Sequence, residues 1–397
     1  MSHEPLILRG LATLSPLGAS AEECARSVQW HVPVTEQLSG VPTFPLAASA
    51  LAKLREVQLE PRFEGLDRAA LLAIAAARES RLACAGRVPV PGCVSIGSAR
   101  GATHSLERTM RQHLLGEEAL APHTSPLTTA GNISSWVAQD GFGRSTNGGA
   151  IASIGTSMTC TSAFHSLLIA HAFVRSGMAS SALFGGTESC LTEYTIAQLK
   201  ALRIYSRGGA WPCTPCLRAE TLANSVTLGE GAGCAFLLKA DGTFVPGDMT
   251  LLGLGWSLES TPSATGISED GEGFATAMRN AICGLPPGRR VDCVVLHAPG
   301  TSKGDEAELR AVRRVLPHAP MCTTKHLTGH TYGASGMVSL ALAQALLGEC
   351  GWPGFPYPSQ AESVPFEAPR TVLINTAGFG GNSIAVIVGA PNPLPAR

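Results

Sequence analysis

Apolar and polar stretches alternate along this chain in short blocks, and the blocks predict strands and helices in a recurring order. Residues 5–18, PLILRGLATLSPLG, read as an apolar strand closed by a turn at Pro16 and Gly18. Ser20 then stands where a cap belongs, ahead of a helix beginning AEECARSV. Residues 67–85 are rich in Ala and Leu and predict a helix apolar enough for the core. PGCVSIGS, residues 91–98, reads as a buried strand. From Arg100 to about Phe142 no period emerges, and loop with some helix is expected. Residues 148–156 form an apolar strand, 162–177 a helix and 181–186 a second short strand. Strand, helix, strand in that order predicts a parallel βαβ unit.

The second half repeats the style. VDCVVLHA, residues 291–298, is an apolar strand. GDEAELRAVRRVL follows as a helix, acidic at its start and basic at its end, as the helix dipole favours. APMCTT is a short strand, GMVSLALAQALLG an apolar helix, and residues 370–390 two strands around a glycine turn. The fold class is therefore α/β. A boundary near residues 240–250 divides the chain into halves 1–245 and 246–397. No sequence repeat is visible, so architectural duplication is inferred from element order alone.

Composition narrows the function. The chain has 397 residues, 45% hydrophobic and 15% charged, ample for a large core of two or three domains or one double domain. A net charge of −1 gives no basic balance for nucleic acid. The start carries no basic segment followed by an apolar one, and no apolar run is long enough to span a bilayer, so a cytoplasmic protein is expected. Twelve cysteines lie mostly in apolar segments and are expected as free thiols. Cys213 and Cys216 form a C-x-x-C, but no second ligand pair matches it, so no metal is expected there.

Three residues stand out chemically. Cys160, in GTSMTCTSAFHS, follows an apolar strand at the predicted start of a helix. Amide groups there favour thiolate and hence a nucleophile; one more buried cysteine is the alternative. His297 ends the strand VDCVVLHA before a Pro/Gly turn, and His330 lies between a strand and a helix in TKHLTGHTYGASG, in a place that mirrors His297. Carboxyl ends of strands in open α/β sheets gather ligands, although a lone histidine is commonly structural. Glu308 and Lys325 accompany them, as a buried pair that orients the site or as two surface charges. AGFGGNS sets Gly378, Gly380 and Gly381 around Phe379, either a surface that presents amides to a substrate or a plain hairpin. There is no phosphate loop, dinucleotide fingerprint, G-x-S-x-G or H-E-x-x-H.

Taken in order, these segments resemble the β-ketoacyl synthase family of the thiolase superfamily, in its elongating Cys-His-His branch. LRGLATLSPLGASAEE, TCTSAFHS, LFGGTES, LGEGAG, HAPGTSKGDEAE, KHLTGH and NTAGFGGNS carry the resemblance across nearly the whole chain. It implies the thiolase-like αβαβα layered fold of two similar halves, with the nucleophile in the first and both histidines in the second. It implies that Cys160 takes an acyl chain as a thioester, and that His297 and His330 bind the malonyl carbonyl and promote decarboxylation. The amides of Cys160 and Phe379 would form an oxyanion hole, flanked by Gly378 and Gly380, with Phe379 as a gate. Lys325 and Glu308 would support the histidines, and Thr301 and Asn375 would contact substrate. No metal or organic cofactor is implied beyond the phosphopantetheine of an acyl carrier protein. The implied partners are that carrier, with Arg203 and Arg207 as basic candidates for docking it, and a second subunit, either a copy of the chain or a chain-length factor.

Departures exist. Met158 stands where Thr is usual, CLRAETLANSVT replaces an Arg-Pro-Phe-Asp run, and Ala298 and Pro299 replace Gly and Thr. The HAPGT form resembles the synthases of aryl-polyene and flexirubin clusters, which favours secondary metabolism over housekeeping fatty acid synthesis. A degradative thiolase would carry a second cysteine near the last glycine turn, and an initiating synthase Asn in place of His330. A catalytically silent chain-length factor is the non-enzymatic alternative, and Cys160 with both histidines argues against it.

Overall fold

The structure is a computed structural model; it describes residues 4–31, 33–116, 119–130, 132–143, 150–216, 218, 223–261, 263, 265–348, 350–362 and 364–391. Its strands are β1 (Leu6–Leu14), β2 (Glu36–Leu38), β3 (Val41–Thr43), β4 (Cys93–Gly97), β5 (Ala152–Thr156), β6 (Ser181–Glu188), β7 (Gly231–Lys239), β8 (Met249–Leu258), β9 (Cys293–Val295), β10 (Met321–Cys322), β11 (Thr371–Gly378) and β12 (Asn382–Gly389). Its helices in the first half are α1 (Ala21–Trp30), α2 (Ala48–Gln58), α3 (Arg68–Ala83), α4 (Thr103–Leu115), α5 (Thr124–Thr128), α6 (Asn132–Phe142), α7 (Ser162–Arg175) and α8 (Glu193–Ala201). Those in the second are α9 (Glu272–Ile282), α10 (Ser302–Val315), α11 (Lys325–Thr328) and α12 (Ser335–Leu347).

The duplication inferred from element order is visible in the sheet. Strands run β10-β9-β11-β12-β8-β1-β7-β6-β4-β5, so two five-stranded halves meet where β1 lies antiparallel to β8. Each half has two antiparallel pairings, β1–β7 and β7–β6 or β8–β12 and β12–β11, followed outward by two parallel ones. The join is short, Leu6–Leu8 against Met249–Leu251. Beside it, buried Arg9 reaches Asp248 at 2.7 Å and the Thr243 carbonyl at 2.7 Å.

Helices α7 and α12 form the inner layer. Phe164 and Leu167 from one and Met337 and Leu340 from the other share a core with Phe184 of β6 and Ile374 of β11. Outside the first half, α2, α3 and α6 bury Leu54, Leu72 and Val137 against Phe236. Outside the second, α9 and α10 bury Met278 and Val312 against Ile387. The layering is therefore αβαβα. Strands covered on both faces need apolar side chains on both, which explains their continuous apolar runs. Two side chains cap helices, the first as the sequence predicts. Ser20 accepts from the Glu23 amide at 3.2 Å while Glu23 reaches back to the Ala19 amide at 2.7 Å, a capping box. Asp67 caps α3 through the Ala69 amide at 2.8 Å.

Three expectations are refined. The aperiodic stretch after Arg100 holds α4, α5 and α6. The helical period is hidden in α4 because Leu106, Met110 and Leu114, four residues apart, face solvent. Cys160 lies in a 3-10 turn, Thr159–Thr161, two residues before α7 begins. His330 mirrors Cys160 and not His297: it follows β10, whose counterpart is β5, whereas His297 follows β9, the counterpart of β4.

Candidate active site

The parallel strands deliver three side chains to one spot. β5 ends at Thr156 ahead of Cys160, β9 ends at Val295 ahead of His297, and β10 leads through α11 to His330. All three residues are buried, and their ligand atoms lie within 4.8 Å of one another. His330 Nε2 is 2.9 Å from Cys160 Sγ, and the two imidazoles stand edge to face with centroids 5.3 Å apart. Each histidine leaves its Nδ1 buried without a hydrogen-bond partner. Beside each of the three a non-glycine residue takes a left-handed backbone: Thr159 at φ 50°, Ala298 at φ 25° and Tyr332 at φ 41°. Such strain persists only where the surroundings fix it, and here it aims the three side chains inward.

The resting electrostatics favour neutral groups. Burial pushes the Cys160 thiol up to about 12, helped by Glu188 and opposed by Lys325. Burial and then Lys325 push His330 down to about 3, and burial, His330 and Lys325 hold His297 well below its ordinary range. The helix-start expectation of a thiolate is thus outweighed by desolvation.

Glu308 and Lys325 are both buried, yet no ion pair joins them. The Glu308 oxygens are taken by other donors: the amides of His297 and Ala298, each at 2.8 Å, and Asn375 Nδ2 at 3.1 Å. Glu308 therefore holds the His297 backbone, and burial raises it to about 7. Burial also lowers Lys325, against the pull of Glu308. Asn375 sits behind His297 as a support for Glu308, because its alternating position on β11 turns it into the core.

A cavity of about 440 Å³ opens over the triad; Thr301, Tyr332, Gly378 and Phe379 line it with the catalytic candidates. Gly378 touches the Cys160 turn so closely that a Cβ there would lie 2.0 Å from Thr159 Oγ1 and 3.2 Å from the Cys160 amide nitrogen. Thr159 Oγ1 donates to the Phe379 carbonyl at 3.4 Å, binding the two amide-bearing turns together. Gly380, at φ 89°, lets the chain reverse after Phe379, which is 39% exposed at the cavity. Arg203 is exposed next to the lining residues Leu202 and Ile204; Arg207 is exposed farther along the same loop.

Cys213 and Cys216 are free and buried, and among the described residues no third ligand joins them. Instead the Cys216 amide donates to Asp305, as does that of Gly300 at 3.1 Å. Sequence reasoning passed over Glu188. It accepts from the Ala99, Arg100 and Gly333 amides and from Ser98 Oγ, joining the half that holds Cys160 to the turn after His330. Burial raises it to about 7. Its signal was a single carboxylate inside an apolar strand, in LFGGTES.

Comparison with known proteins places this arrangement. Residues 56–242 match the family described as Beta-ketoacyl synthase, N-terminal domain, and residues 250–353 match its C-terminal domain. A Staphylococcus aureus protein named 3-oxoacyl-[acyl-carrier-protein] synthase 2 is 23% identical over 414 residues, covering 97% of this chain and 98% of its own. A Coxiella burnetii protein of the same name is 27% identical over 251 residues, 58% of this chain and 59% of its own. Among solved structures, the ishigamide ketosynthase/chain length factor superposes with a TM-score of 0.81 at 20% identity, covering 98% of this chain and 100% of that one. The Xenorhabdus doucetiae ketosynthase ApeO in complex with its chain length factor ApeC gives 0.80 at 19% identity, with the same coverage. At such identities these structures speak for the fold. With both halves matched to the two domains of one family, the chain belongs to the β-ketoacyl synthases.

Proposed function

We propose that this chain is a condensing acyltransferase that joins an acyl thioester to malonyl-acyl carrier protein with loss of CO2. The observation that carries the reading is His330 Nε2 at 2.9 Å from Cys160 Sγ, with His297 facing the same cavity. Cys160 attacks the acyl carbonyl; its proton passes by way of His330 to the departing carrier sulfur. Its neutral resting state keeps the sulfur unreactive until substrate arrives. In the second half-reaction His330, its Nε2 reprotonated by exchange with solvent as Nδ1 gives up its proton, joins His297 in donating N–H groups to the malonyl thioester oxygen. CO2 leaves, and the negative charge collects on that oxygen as an enolate. The enolate carbon attacks the Cys160 thioester. The amides of Cys160 and Phe379 hold the resulting oxyanion, the carbon–sulfur bond breaks, and the thiolate recovers a proton from solvent.

Substrates arrive on the phosphopantetheine arm of an acyl carrier protein, with Arg203 as a basic contact beside the cavity, and the role of Thr301 is to line the arm's path. The HAPGT form favours a polyene or polyketide product. The second subunit is a copy of the chain or a chain-length factor. β5 supports this: it is an edge strand whose residues alternate between half-buried and exposed, a template for pairing.

The test separates the half-reactions. Wild type should release CO2 from malonyl carrier protein and form a β-keto product. His297→Ala should still accept an acyl group on Cys160 but lose CO2 release by about 10²-fold or more. Thioester hydrolysis without a new carbon–carbon bond would overturn the proposal.

A further inference from the structure

α11 is a single turn of four residues, Lys325–Thr328, and a turn this short does not hold itself. Yet it carries Lys325 and leads to His330. The backbone of His330 is fixed from one side, where its amide donates to Thr227 O at 2.7 Å and its carbonyl accepts from the Gly229 amide at 3.1 Å. The side chain of Lys325 has no such tether. It forms no ion pair or hydrogen bond among the described residues, so its ammonium lies where the turn puts it.

The anchor on the other side is His326. This imidazole is fully buried, ringed by Trp211, Trp352, Phe355 and Tyr357 with centroids 5.7–6.2 Å away. Its Nε2 lies 3.1 Å from Nδ1 of His31, and its Nδ1 has no partner. A phenyl ring would fill the cage without desolvating two nitrogens. The imidazole costs that desolvation and gains one directed hydrogen bond. His31 reaches it from a left-handed backbone, φ 48° and ψ 46°, at the end of α1. That conformation costs a non-glycine residue roughly 1 kcal/mol. Strain at one end and an orphaned nitrogen at the other are both tolerated around a single bond.

We propose that His326 is a positioning residue of the condensation: its bond to His31 and its cage of rings lock the turn that carries Lys325 and sets up His330. The inference rests on the condensing reading above. His326 touches no reacting atom and acts through its neighbours. Its titratable neighbours are His31 from α1, Tyr357 from the segment after α12, and Lys325 beside it in the chain.

The test uses His326→Phe, which keeps the cage and loses the bond, and His31→Asn, which tolerates the left-handed backbone and also loses it. Each should keep its melting temperature within a few degrees. Each should lower kcat for malonyl decarboxylation about tenfold while leaving KM within twofold. The double variant should be no worse than His326→Phe alone, since one bond is lost in each. The charge of Lys325 opposes protonation of His297 and His330. Letting it drift should therefore move the acid limb of the rate profile to higher pH, which a purely structural role would not do. Should His326→Phe not fold, His31→Asn, at a half-buried site, carries the test. An active wild type with both variants at wild-type rate and pH profile would overturn the inference, as would losses that only follow melting temperature. A wild type without condensation activity would overturn the condensing reading itself, and the inference with it.

Discussion

Gly378→Ala probes how tightly the last glycine turn packs on the Cys160 turn. The added methyl would lie 2.0 Å from Thr159 Oγ1, where ordinary contact begins at 3.4 Å, so about 1.4 Å of movement is demanded. Thr159 branches at Cβ, so only one of its three staggered rotamers turns a hydrogen toward residue 378. Taking that rotamer forfeits the bond to the Phe379 carbonyl. The Cys160 amide nitrogen at 3.2 Å and the Met158 carbonyl at 3.3 Å then still crowd the methyl. Overpacking of this kind costs about 1–3 kcal/mol. At about 2.1 cal/mol/K per residue, a chain of 397 residues loses about 0.8 kcal/mol per degree, so melting should fall only about 1–4 °C. Activity should fall further, because displacing a reacting group by ~1 Å costs about 10²-fold. Stopped-flow acylation of Cys160, alongside thermal melting, reads both. Thr159→Gly in the same chain should restore much of the rate, since glycine removes the clashing oxygen and suits φ 50°. Unchanged acylation in Gly378→Ala, or no rescue by Thr159→Gly, would refute the reasoning.

Glu308→Gln sets an amide N–H against one of three converging donors, so stability should fall about 1–3 kcal/mol in thermal melts. CO2 release should drop more than acylation, because Glu308 holds His297 and not Cys160. Labelling of Cys160 by iodoacetamide should be slow at pH 7 and rise about tenfold per pH unit between pH 8 and 10, because burial holds its thiol near 12; a plateau near neutrality would contradict this. Cys160, His297 and His330 also form a donor set that suits tetrahedral zinc. Added Zn2+ should inhibit and protect Cys160 from labelling, and EDTA should restore activity; loss of wild-type activity with EDTA alone would make a metal part of the chemistry.

The legible parts of this protein were those with a local cause. The helix at 67–85 shows itself through Ala and Leu, and α1 through the Ser20 cap. Cys160, His297 and His330 were visible because each is a reactive side chain at or just past the end of an apolar strand, and the structure brings all three together. What was hidden depended on partners remote in sequence. α4 turns its apolar stripe outward, so its period pointed to no core. Glu188 needs the 98–100 segment and Gly333 before it has a purpose. Asn375 became a support for Glu308 only because α10 packs over β11. Glu308 and Lys325 read equally as a buried pair or as two surface charges; both are buried, but backbone amides outcompeted the ammonium for the carboxylate. His31 and His326 are 295 positions apart, and nothing local to either suggests the other.

The central claim is that Cys160 is an acyl-accepting nucleophile within a condensing site. Intact-protein mass spectrometry after incubation with acyl-loaded carrier protein tests it most directly, with wild type and Cys160→Ala side by side. An acyl adduct on wild type alone, discharged into a longer β-keto product when malonyl carrier protein is added, is the predicted result. An equal adduct on Cys160→Ala, or none on wild type even with a chain-length-factor partner present, would contradict it.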